Sequence, residues 1–155
     1  MAMLQLDDVI YPQTGETRCN ATAIRQAARH ITRFYDAALA GTGLRGTQYT
    51  TLLFLSRQGP MTIGRLAEAM VMDRTTVGHL VKPLERDGLL HIAPDPNDRR
   101  SRQISVTDDG QQRVRDGFAA WEQAQRVFEA GFGTENAQRM RKMMAAIVAT
   151  ELPLD

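Results

Sequence analysis

The chain has little cysteine, lysine, aromatic surface or net charge, and each shortage narrows what it can be. Cys19 is the single cysteine in 155 residues, which excludes an internal disulfide framework and any all-cysteine metal site. Lysine occurs twice against 17 arginines; the 19 basic residues face 18 acidic ones, for a formal net charge of +1. Taken alone, that balance argues against a nucleic-acid partner. No apolar run reaches the roughly 18 residues that a membrane-spanning helix requires. Residues 1–12 carry Asp7 and Asp8 and no basic stretch, so they do not read as a signal peptide. A cytoplasmic location and no membrane partner are expected. The sequence has no HExxH, no GxSxG, no phosphate-binding glycine loop and no paired-carboxylate setting. His30, His79 and His91 fall on three separate predicted elements. An enzyme, a metal site and a cofactor are therefore not expected.

The length suits one structural domain, and helical periodicity dominates it. Residues 1–16 read as an arm. From Thr17, the positions Ile24, Ala27, Ile31, Phe34, Tyr35 and Ala38 repeat at helical spacing until Gly41 and Gly43. Arg25, Arg29 and Arg33 form an i, i+4 ladder on another face of that helix. Thr47 is expected to cap a second helix that stops at Gly59-Pro60, and Thr62 a short third one. Val71-Met72 turns the chain, and Asp73 caps a fourth helix with Val77, Leu80, Val81 and Leu84 on its buried side. Pro83 removes an amide from that helix and predicts a bend. Residues 89–93 and 103–106 read as two strands joined by a polar turn with basic residues at its tip. Thr107 caps a long helix ending at Gly131 and Gly133, and Thr134 a last one stopped by Pro153.

The order helix, short helix, turn, helix, strand, basic turn, strand is that of a winged helix-turn-helix, in which the second helix of the pair enters the major groove of DNA. In that helix Thr75, His79, Lys82 and Arg86 are spaced by four, three and four residues, so they share one face opposite the apolar set. Arg74, Thr75 and Thr76 occupy its first turn, where hydroxyls and backbone amides meet phosphate. The hairpin tip adds Arg99, Arg100 and Arg102, and arginine in a projecting loop fits a narrow minor groove. Over residues 62–107 there are seven basic and six acidic side chains, yet six of the seven bases lie on this helix and hairpin. Placement rather than net charge points to DNA.

These residues carry a resemblance. Residues 61–70, 72–77 and 84–90, followed by Asp95-Pro-Asn-Asp-Arg-Arg-Ser101 and Ile104-Ser-Val-Thr-Asp-Asp-Gly110, resemble the MarR (multiple antibiotic resistance regulator) family of winged-helix regulators. The resemblance implies a mostly α fold: a winged helix-turn-helix over 47–106, with long dimerisation helices over 17–46 and 107–155. It implies a homodimer on a palindromic double-stranded operator. Arg100 would enter the minor groove, held by Asp98, while Arg74, Thr75, Thr76 and His79 read the major groove. Gly78 is smaller than the side chain often found there. In such proteins a small aromatic or phenolic acid lodges between the dimer helices and the DNA-binding lobe, and the candidate contacts here are His30, Tyr35, Arg45, Tyr49 and Trp121. The function expected is a repressor released by such a ligand. Two alternatives stand beside it. One is a peroxide-sensing repressor acting through Cys19, at the start of the first helix, where the helix dipole favours a thiolate. The other is a winged-helix protein-interaction module.

Overall fold

A computed structural model describes residues 17–153. The expected arm over 1–16 lies outside the described residues. Helix α1 (Asn20–Leu39) is about 30 Å long, and its apolar stripe is covered only at its C-terminal end, where Leu39 is fully buried. A short 3-10 turn (Ala40–Thr42) leads to α2 (Gly46–Gln58). Helix α2 starts one residue before the expected cap, Thr47. The reason is tertiary: Asp36 of α1 accepts the backbone N–H of Gly46 at 2.7 Å, so a side chain from another helix satisfies the first turn. Gln48 then accepts the N–H of Arg45 at 3.0 Å.

Strand β1 (Met61–Thr62), two residues long, precedes α3 (Ile63–Met70). Nothing in the alternation of the sequence announces it. Thr62 both ends this strand and caps α3 through the N–H of Arg65. Val71 turns the chain in the left-handed region, at φ 53° and ψ 48°. Asp73 then caps α4 (Arg74–Arg86) by accepting the N–H of Thr76 at 2.8 Å. Helix α4 runs without interruption through Pro83. Strands β2 (Leu90–Pro94) and β3 (Arg102–Val106) form the hairpin, and β3 is central in the antiparallel order β1-β3-β2. Leu90 pairs with Val106, Ile92 with Ile104, and Met61 with Ile104 from the other side.

The core of this lobe is contiguous. Leu52 and Leu55 of α2, Leu66 of α3, Val77, Val81 and Leu84 of α4 and Ile104 of β3 are all at most 1% exposed. Helix α5 (Asp108–Phe132), about 37 Å long, is capped by Thr107, whose hydroxyl accepts the N–H of Gly110 and donates to the Gly88 carbonyl at 2.6 Å. Gly110 sits where a Cβ would collide with the Leu89 carbonyl oxygen and lie 2.7 Å from Val106 Cγ1, so a glycine locks α5 onto the hairpin stem. Helix α6 (Thr134–Ala149) begins with Gly133 at the N-cap, φ 94°. Thr134 is therefore the first helical residue rather than the expected cap. Gly133 both closes α5 and opens α6, which leaves no separate position for a hydroxyl cap. Among the described residues no helix is long and apolar enough to cross a membrane, and no group of His, Cys, Asp and Glu could hold a metal ion.

Candidate nucleic-acid interface

The apolar side of α4 goes into the lobe, so its opposite side is presented outward. Thr75, His79, Lys82 and Arg86 are all exposed, while Val77, Val81 and Leu84 are buried. The spacing read from the sequence thus yields one outward stripe without an acidic member. The side chains on it are not equally free. Arg86 pairs with Asp87 at 3.0 Å, which offsets the cation at the far end. The Thr76 hydroxyl donates to Asp73 Oδ2 at 2.6 Å, so it is committed to the cap rather than available as a donor to phosphate. The same two Thr76 contacts hold the Asp73 carboxyl below the usual carboxylate range, the side-chain one contributing most. The Arg74 guanidinium lies over Gly64 of α3, 3.3 Å from where a Cβ would stand. Gly78 faces open space.

The hairpin tip is built by two carboxylates. Asp98 was expected to hold Arg100, and it does so through the backbone: Oδ1 accepts the Arg100 N–H at 3.0 Å and Oδ2 accepts the Ser101 hydroxyl at 2.9 Å. The Arg100 guanidinium is left exposed, as is that of Arg99. Asp95 has the larger structural share. It is 8% exposed, and its Oδ1 accepts the N–H groups of Asn97 at 2.7 Å and Asp98 at 3.2 Å. The Asp-Pro-Asn run carried that signal, because Asp accepting an amide two residues on is the side-chain form of a turn. Arg102 departs from the other two arginines. It sits on β3, and its guanidinium donates to the Ile92 carbonyl at 3.1 Å, bracing the hairpin. The projecting cations at the tip are therefore Arg99 and Arg100.

The candidate ligand residues separate into three places. Tyr35 and Trp121 line one cleft of about 340 Å3 between α1, α2 and α5, where the Tyr35 hydroxyl donates to Gln125 Oε1. Burial, with Glu129 nearby, pushes the Tyr35 phenol up. Arg45 lies in a neighbouring cleft of about 460 Å3 that also includes His79 and Pro83 of α4. Thr32, Asp36 and Thr47 border both clefts, so the two are contiguous. His30 lies apart, in an apolar cleft of about 440 Å3 between α1, α5 and α6 with Phe34 and Phe128. Tyr49 is a correction. It is fully buried, its hydroxyl donates to the Val114 carbonyl at 2.9 Å, and it packs on Gly117. It is a core residue that no ligand reaches. Cys19 is half-exposed at the N-cap of α1, and the Thr22 side chain, followed by the Thr22 backbone, lowers its thiol.

With this geometry in hand, comparison with known proteins is decisive. The model of the MarR family matches residues 42–101, from the end of the 3-10 turn after α1 to the hairpin tip. Over these residues the chain is similar to the MarR family. The transcriptional repressor NicR of Pseudomonas putida is 28% identical over 105 residues, covering 68% of this chain and 65% of NicR. The transcriptional activatory protein BadR of Rhodopseudomonas palustris is 33% identical, covering 55% of this chain and 50% of BadR. The matched stretch thus spans between half and two thirds of these curated relatives. The transcriptional regulator MOSR of M. tuberculosis, whose crystal structure was determined with DNA, superposes with a TM-score of 0.76 at 29% identity, over 84% of this chain and 94% of that one. The chain thus shares the winged-helix fold of MarR-family regulators, with α3 and α4 as its helix-turn-helix and β2–β3 as its wing.

Proposed function

We propose that the protein is a homodimeric, sequence-specific DNA-binding repressor of the cytoplasm. The observation that carries this is the exposed, acid-free stripe Thr75–His79–Lys82 on α4, on the same lobe as the free cations Arg99 and Arg100 at the wing tip. In this reading α4 lies in the major groove, with Arg74, Thr75 and His79 at base edges and phosphates, and Arg100 reaches the minor groove. That MOSR was crystallised with DNA and that NicR is a repressor support the reading. Two lobes on a palindromic operator supply the affinity that a lobe of near-neutral net charge lacks by itself.

The second copy covers α1, α5 and α6. Met143 is 60% exposed and Val148 62%, in a helix whose only buried residue is Ala137. The effector is a small aromatic acid in the joined clefts of Tyr35, Trp121 and Arg45. Asp36 ties α1 to the start of α2 there, and His79 brings α4 to the same wall, so a ligand that separates α1 from α2 shifts the reading helix. By linkage, DNA lowers effector affinity by the factor by which the effector lowers DNA affinity.

The test is binding to duplex DNA flanking the gene of this protein. Affinity should fall with salt, and Arg100→Ala should cost about 1–3 kcal/mol on the specific site. Salt-independent binding, or an unchanged Arg100→Ala, would overturn the reading in favour of a protein-interaction module. A second, thiol-based reading is favoured by the lowered Cys19 thiol. Under it, Cys19→Ser keeps DNA binding and loses release by peroxide; release that persists in the variant rejects it.

A further inference from the structure

The junction between α1 and α2 runs through Gly41-Thr42-Gly43, with a glycine on each side of one threonine. No atom lies within 4 Å of where a Cβ would stand at Gly41, and Gly43 has φ 73°. Such a stretch is free to pivot unless something holds it. Two residues of α5, one helical turn apart, hold it. Arg113 Nη1 donates to the Thr42 carbonyl at 2.8 Å, across 71 residues of sequence. Gly117 lets the helix come close: a Cβ there would stand 3.1 Å from Thr42 Cγ2 and 2.5 Å from the Tyr49 ring. The Thr42 hydroxyl donates to the Leu39 carbonyl at 2.7 Å and accepts the Leu44 N–H at 3.1 Å, and Leu39 and Leu44 are both buried. Arg113 has no ion pair among the described residues; Asp116, which borders the same cleft, accepts from Gln112 instead. A cation on the last carbonyls of a helix is favourable in itself.

We propose that Arg113 is a positioning residue for DNA recognition: by pinning the Gly41–Gly43 junction to α5 it fixes the angle of the reading lobe against the helical flank, and so sets the half-site spacing that a dimer accepts. The inference rests on the repressor reading above. Two stretches of chain join the lobe to the flank. One is α5, a single unbroken helix that Gly110 locks onto the hairpin stem. The other is the junction, which carries α1 of the flank into α2 of the lobe. One attachment lets a rigid body swing about it, and a second attachment fixes the angle. In a dimer that angle sets the separation of the two α4 helices. One base pair inserted between half-sites turns them by about 34° and moves them apart by about 3.4 Å. A pinned junction cannot follow that change, and a released one can.

The experiment compares the full wild-type chain with Arg113→Met, which keeps the apolar stem and removes the donors, and with Arg113→Lys, which keeps a donor. Arg113 is half-buried, and a far-UV spectrum matching the wild type establishes that each variant folds. Hydrogen exchange without DNA reads the pin directly, at the amides of Leu44 and of Gly43, which donates to the Ala40 carbonyl at 3.1 Å. Exchange there should be about tenfold faster in Arg113→Met and within about threefold of the wild type in Arg113→Lys. Affinity is then measured for the inverted repeat that the protein protects in duplex DNA flanking its gene, and for the same duplex with one base pair inserted at its centre. The insertion should cost the wild type and Arg113→Lys at least about tenfold, and Arg113→Met no more than about threefold. A purely structural role would weaken binding to both duplexes by one factor and leave their ratio at the wild-type value. Four outcomes overturn the proposal: that unchanged ratio in Arg113→Met, an equal fall of the ratio in Arg113→Lys, unaltered exchange at Gly43 and Leu44, or a wild type that binds both duplexes equally. A wild type that binds neither duplex overturns the repressor reading and with it the spacing role, while the exchange rates still report whether Arg113 holds the junction.

Discussion

The winged-helix lobe and the helical flank obey different rules within one chain. In the lobe, Leu52, Leu55, Leu66, Val77, Val81, Leu84 and Ile104 close a core on themselves, and the termini of α3, α4 and α5 are capped by Thr62, Asp73 and Thr107. In the flank, α6 buries Ala137 alone, is tied to α5 by the Arg141–Glu129 pair at 2.9 Å, and leaves Met143, Met144, Ile147 and Val148 exposed. Burying an apolar side chain stabilises by about 1.5–3 kcal/mol. The lobe has gained that free energy already, whereas the flank leaves its apolar side chains exposed, and in the proposed dimer a second copy would cover them. The same kinds of apolar side chain thus close a core in one region and stay exposed along a helix in the other.

The comparison is broken most severely on the flank. Met143→Asp with Ile147→Asp should weaken dimerisation by about 4 kcal/mol, roughly a thousandfold in dissociation constant, because two apolar contacts become desolvated charges. Sedimentation should then show a monomer whose lobe keeps its fold. In the lobe the largest effect is expected for Gly110→Ala, about 3 kcal/mol, since the added Cβ meets the Leu89 carbonyl and Val106. Denaturant unfolding measures it, and the loss should appear in the stability of the protein rather than in a shift of the dimer equilibrium at saturating concentration. Thr107→Ala should cost about 1 kcal/mol by the same measurement, through the lost cap on α5.

The smallest effect is the pH dependence at Asp73. Its folded-state pKa is lowered, chiefly by the Thr76 hydroxyl, so its contribution is complete above the ordinary aspartate range of about 3.9. That contribution is lost as pH falls through the lowered folded value. Melting curves of the wild type and Asp73→Ala should therefore differ at pH 7 and converge in acid; a gap that is constant with pH would mean that the cap acts without its charge.

Much of this was readable in the residues. The α4 stripe followed from spacing alone, because an amphipathic helix with Val77, Val81 and Leu84 inward must place Thr75, His79, Lys82 and Arg86 outward. The caps at Thr62, Asp73 and Thr107 followed from local chemistry. The misses share a cause. Strand β1 is too short to show alternation and exists because β3 offers it an edge. The start of α2 depends on Asp36, ten residues away. Tyr49 has the composition of a ligand contact, and only the packing against Gly117 and Val114 makes it core. Arg102 reads as a third wing cation, but its reach to Ile92 across the hairpin takes it away from the tip.

The sequence by itself determined the elements, their caps and the face each helix turns outward, since these depend on residues within one or two turns of each other. The tertiary structure decided which of the outward groups are free. Arg86 is matched by Asp87, Thr76 is held by Asp73, Arg102 braces the wing, and the Arg99 and Arg100 guanidinium groups have no ion pair among the described residues. It also decided that Tyr35 and Arg45 border adjoining clefts while His30 stands elsewhere. Periodicity fixes a direction in space, but whether a partner waits in that direction depends on chain that folds back from far along the sequence.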